Sequence, residues 1–116
     1  MKNELKERTK LFARRILKLI EAMPACRRSR IISDQIGRAG TAVGANYRAT
    51  CRARSRAEFI ARIGIVEEEA DECAYWLELI MEEHLLPPPT IQPLHTEATE
   101  LTAIMASSRI TAARNR

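Results

Sequence analysis

Core-type positions recur along this chain at alternating steps of four and three, the repeat of a helix that buries one face. Leu5, Thr9, Phe12, Ile16, Leu19 and Met23 form the first stripe and predict a helix over about 4–23. Pro24 ends it, because a proline ring clashes with the preceding turn and offers no N–H. Ile32, Ile36, Ala39, Val43, Asn46 or Tyr47, and Thr50 continue the spacing in a second helix over about 29–53, whose start is poorly marked. Ser55-Arg56-Ala57-Glu58 reads as a capping box. Behind it Phe59, Ile63, Val66, Ala70, Cys73, Leu77 and Ile80 predict a third helix over about 55–86, about 45 Å long at the usual rise.

Pro87-Pro88-Pro89 is expected to stop that helix, with Pro93 near the first turn of a fourth over about 92–112. The fourth stripe, through Leu94, Ala98, Leu101, Met105 and Ser108, is weaker. Long amphipathic segments joined by short connections predict an all-α fold. The architecture expected is an antiparallel up-down-up-down four-helix bundle, with residues 1–116 as a single domain.

Composition narrows this picture without changing it. Apolar residues make up 46% of the 116, with few aromatics, which suits an aliphatic helical core. Cys26, Cys51 and Cys73 are odd in number and far apart, a pattern of small core residues in a reducing cytosol rather than a disulfide framework or a zinc site. Apolar runs are only a few residues long, so no membrane span is expected and the localisation expected is cytoplasmic.

Charge is sorted along the chain. Nine arginines, no lysine and two acids lie between Arg27 and Arg62, while Ile63 to Leu86 holds eight acids and no lysine or arginine. On a helical wheel Arg27, Arg30, Arg38, Arg48, Arg52 and Arg56 gather on the side of the second helix opposite Val43. Arginine throughout, with its planar fork of donors, favours phosphate or carboxylate partners over simple solvation. Gly37, Gly40 and Gly44 line one flank of the same helix, where each costs about 0.5–1 kcal/mol relative to alanine. Close approach by another helix is the expected return.

On the third helix Glu67, Asp71, Glu78 and Glu82 align beside the core stripe, and Ile65, Trp76 and Leu79 fall outside it. A tryptophan off the seam suits an interface anchor. An arginine face and a carboxylate face on different sides of one subunit are complementary to each other and not to themselves. They fit heterologous, head-to-tail assembly that closes into a ring.

No enzyme is expected. A di-iron bundle needs Glu-x-x-His pairs on facing helices, yet Met81 stands three before His84 and Gln92 three before His95. No metal or other cofactor is expected, and no nucleophile–base arrangement has a motif around it. Asn46 and Thr50, polar residues on the core stripe, read as packing or capping groups.

Several short motifs together resemble the four-helix bundle family of proteins encoded in intervening sequences of bacterial 23S ribosomal RNA genes. They are Ser33-Asp34-Gln35-Ile36, Ala42-Val43-Gly44-Ala45-Asn46, Arg54-Ser55-Arg56-Ala57-Glu58-Phe59-Ile60, and the acidic Glu67-Glu68-Glu69-Ala70-Asp71-Glu72 followed by Tyr75-Trp76-Leu77. Where the family commonly reads Asn-Ile-Ala-Glu-Gly, this chain has Asn46-Tyr47-Arg48-Ala49-Thr50, keeping the asparagine and losing the glutamate and glycine. The resemblance implies a homopentameric ring of bundles. It also implies kinship with the accessory protein of diversity-generating retroelements, which associates with a reverse transcriptase and binds nucleic acid through a basic surface.

Two functions follow as expectations. In the first, a non-enzymatic oligomeric adaptor binds RNA or DNA without reading sequence, with Arg30, Arg38, Arg48, Arg52 and Arg56 on phosphates. In the second, the chain is a structural assembly or protein–protein interaction module. Its interface is Glu67, Asp71, Ile65, Trp76, Leu79, Glu78 and Glu82, with the arginines engaged by a neighbour's acids.

Overall fold

Four helices follow one another in the computed structural model, which describes residues 2–115: α1 (Lys2–Ala22), α2 (Arg27–Thr50), α3 (Arg56–Glu82) and α4 (Pro88–Arg114). They pack as an all-α four-helix bundle measuring 49 × 22 × 19 Å. Helices adjacent in sequence are adjacent in space, and α1 closes the ring against α4 over the thinnest seam. Among the described residues no helix is long and apolar enough to cross a membrane.

Paired contacts fix the antiparallel register. Down α2, Arg28 reaches Glu83 and Arg38 reaches Glu72, so the numbering rises on one helix while it falls on the other. Glu67–Arg109 and Glu78–His95 do the same between α3 and α4. Gly37, Gly40 and Gly44 meet Ile20, Ile16 and Thr9 of α1 in reverse order.

The four stripes converge on one core, in which Phe12, Ile16, Ile36, Val43, Ile63, Leu77, Ile80, Leu101 and Met105 are essentially inaccessible. Buried hydroxyls are satisfied locally: Thr9 Oγ1 donates to the Leu5 carbonyl and Thr50 Oγ1 to the Asn46 carbonyl, each at 2.8 Å. Of the alternatives on α2, Tyr47 takes the buried position, and Asn46 stays half-buried.

Helix ends differ from the expected bounds for local reasons. α2 begins at Arg27 and ends at Thr50, where the chain tightens through Arg52 N–H to the Ala49 carbonyl and Ala53 N–H to the Thr50 carbonyl. Ser55 caps α3 by accepting from the Glu58 N–H at 3.1 Å. The Glu58 carboxylate turns to Arg62 and Arg54 instead of completing the box.

The triple proline does not stop α3. That helix ends at Glu82, five residues before the first proline, because His84 adopts φ 54° and folds the chain back. His84 N–H then bonds the Met81 carbonyl and Leu85 N–H the Ile80 carbonyl, the paired bonds of a Schellman ending. Leu85 drops into the core as it follows. The prolines open α4 instead: Pro87 is its N-cap, and Pro88 and Pro89 fill the first turn, where no N–H is needed. Pro93 therefore lies one turn inside the helix rather than near its start.

Candidate nucleic-acid interface

The arginine face separates into two populations. Arg38 is committed within the chain: its guanidinium reaches Glu69 at 3.3 Å and also Glu72, both on α3. Arg30, Arg48, Arg52 and Arg56 are exposed, and none has a carboxylate partner among the described residues. Because α2 stops at Thr50, Arg52 lies in the turn after it and Arg56 is the first residue of α3. The expected stripe thus runs along the helix and around the corner at its end.

The acidic flank of α3 faces α4. Glu67 receives Arg109 Nε at 2.7 Å, and Glu78 Oε2 lies 2.8 Å from His95 Nε2. Asp71 and Glu82 are exposed and make no ion pair among the described residues.

The apolar residues grouped with these acids do not behave alike. Trp76 is half-buried and packs against the core, its Nε1–H donating to Glu72 Oε2 at 3.0 Å. Leu79 also packs on the core. Ile65 remains 43% exposed, and Tyr75, absent from the expected set, is 53% exposed with its ring edge-on to Trp76.

Electrostatics follow this pairing. The Arg38 guanidinium is raised above its ordinary value, first by its hydrogen bond to Glu72 and then by the Glu69 charge. Burial pushes the Glu72 carboxyl up, but the hydrogen bonds from Trp76 and Arg38 outweigh it and hold the group below the usual range. Cys73 is buried, and its thiol is pushed up to about 12 by desolvation and by the charges of Glu69 and Glu72. That is the behaviour of an inert core thiol, not a nucleophile.

A groove of about 380 Å³ lies between α1 and α2. Lys6, Lys10 and Arg48 line it with Thr41, and among the described residues Glu7 is the only carboxylate on its walls. Its floor is where the two backbones close: a Cβ built on Gly44 would sit 3.3 Å from the Thr9 carbonyl oxygen. The α1 cations lie outside the expected site because they are interspersed with Glu4, Glu7 and Glu21, whereas the α2 segment is almost purely arginine. A signal was there, since Lys6, Lys10, Arg14 and Lys18 recur at steps of four along α1.

Residues 1–107 match the family model described as 23S rRNA-intervening sequence protein. Among solved structures, the chain is similar to a protein of unknown function from the S23 ribosomal protein family of Bacteroides thetaiotaomicron VPI-5482, solved at 1.70 Å. The two are 34% identical with a TM-score of 0.85, over 94% of this chain and 98% of the other. No match is found among curated proteins.

Proposed function

This chain belongs to the 23S rRNA-intervening sequence protein family, and on that premise we propose that it is a non-enzymatic adaptor that binds nucleic acid without reading sequence. The observation that carries the reading is the set of exposed arginines with no carboxylate partner among the described residues: Arg30, Arg48, Arg52 and Arg56. Guanidinium groups held on a helix and its following turn form charge-assisted hydrogen bonds to phosphate oxygens. Those contacts position a backbone and leave base edges unread. Arg38, spent on Glu69 and Glu72, belongs to the scaffold in this reading.

Fluorescence anisotropy with labelled RNA and DNA of unrelated sequences tests it. Four phosphate contacts predict an affinity that falls at least about 50-fold between about 50 and 200 mM salt, alike for every sequence. Absence of binding at low ionic strength, or binding indifferent to salt, overturns the proposal.

Assembly is the second reading, supported by exposed Ile65 and Tyr75 on the same helix as unpaired Asp71 and Glu82. Under it the free arginines meet a neighbouring subunit's acids, and charge reversal at Arg48 or Arg52 dissociates an oligomer. Sedimentation that shows only monomer at micromolar concentration and low salt removes this alternative.

A further inference from the structure

From the groove between α1 and α2 we infer that the nucleic-acid footprint is not confined to the arginines of α2. It crosses onto α1, where Lys6 and Lys10 join Arg48 around one phosphodiester path. The inference rests on the nucleic-acid reading above and extends it to residues on another helix.

Three properties of the groove point to a polyanion. First, its cations have no carboxylate within ion-pair distance among the described residues, although Glu7 stands on the wall beside them. Lys6 and Lys10, four apart on one helix, repel each other. Arg48 adds a third positive charge from across the seam. A chain of phosphates relieves that repulsion.

Second, the one hydroxyl on the groove's described walls already spends its donor within α2. The Thr41 hydroxyl donates to the Gly37 carbonyl at 2.8 Å, and among the described residues no aromatic side chain lines the groove. Recognition there is by charge, without base stacking or base-edge hydrogen bonds. Third, Gly44 keeps the two backbones close, so cations from both helices bear on the same open channel instead of being splayed apart.

The test is the salt dependence of binding to single- and double-stranded oligonucleotides by the full chain and its variants. Lys6→Ala/Lys10→Ala removes two exposed charges, and it is expected to lower the slope of log affinity against log salt by about 1.5–2, equally for all sequences. Glu7→Gln, which removes the wall's carboxylate, is expected to tighten binding. Circular dichroism checks that both variants remain helical.

A double variant that keeps the wild-type slope, while Arg52→Ala and Arg56→Ala lose affinity, overturns the inference and leaves the proposed function standing. Wild-type protein that binds no oligonucleotide sinks both. Displacement of the oligonucleotide by an acidic peptide at matched charge, more readily than by a competing oligonucleotide, assigns the groove to a protein partner and overturns the inference as well.

Discussion

Across the α1–α2 seam, glycines bring two backbones together, and Lys6, Lys10 and Arg48 beside them make no ion pair among the described residues. Along α3, ion pairs reach out to both neighbouring helices. Arg28–Glu83 at 2.6 Å and the Arg38 cluster tie α3 to α2, and Glu67–Arg109 and Glu78–His95 tie it to α4. The seam held by shape has no interhelical ion pair among the described residues. The difference bears on function: where charges hold helices together they are consumed, and where glycines do the work cations remain for a partner. The free arginines and the α1 lysines lie where packing needs no charge.

The strongest way to break this contrast is to add one methyl group at Gly40. A Cβ there would fall 2.8–3.0 Å from Cγ1, Cγ2 and Cβ of Ile16. Those atoms belong to a β-branched side chain with little rotamer freedom, so α1 and α2 must separate. Gly40→Ala is expected to destabilise the fold by about 1–3 kcal/mol, the usual cost of overpacking. This outweighs the gain of about 0.5–1 kcal/mol that alanine brings to a helix interior. Urea denaturation reads the difference, and a variant as stable as the parent would remove shape as the reason for the glycines.

Gly64 on α3 supplies the opposite case, with a smaller effect. A Cβ there would meet only the Cδ of Arg109 at 3.7 Å, an ordinary contact with a flexible side chain. Gly64→Ala is expected to stabilise the protein by about 0.5–1 kcal/mol, chiefly by restricting the unfolded chain. Thermal melting of the two alanine variants should therefore move in opposite directions. If both lose stability, the α3–α4 seam is as tightly packed as α1–α2 and the contrast fails.

The glycines show how far the sequence could be read. Their spacing put them on one flank of α2 and implied a close neighbour, but only the fold shows that the neighbour is α1. Stripe positions were legible because burial follows the helical repeat. Leu77, Ala98 and Leu101 are fully buried where that repeat places them. The α3–α4 corner was not legible. Three prolines suggest a stop, yet their fixed φ suits a helix start equally well, and His84 takes the left-handed turn without the glycine that usually marks it.

The site was harder to read than the fold. Charge sorting by segment was visible, but which charges neutralise one another depends on reach between helices, which no single-helix wheel contains. Arg38 and Arg48 look equivalent on the wheel. One meets two glutamates on α3, and the other opens into a groove lined by lysines.

The smallest expected effect tests the charged side of the contrast at Arg38. Glu72 is held below its ordinary value of 4.5 despite partial burial, because Trp76 and Arg38 hydrogen-bond to its carboxylate. A carboxyl depressed in the fold contributes stability that is present above the unfolded value and lost as pH falls through the folded one. Arg38→Gln removes one of the two donors, so Glu72 should titrate closer to its ordinary value. Parent and variant should then differ most near neutral pH and converge in acid. The gap should also narrow at high salt, since the Arg38 guanidinium is exposed and screened. Denaturation midpoints across acid pH measure this, and curves that stay parallel as the carboxylates protonate would show that the α2–α3 ion pairs contribute nothing specific to that seam.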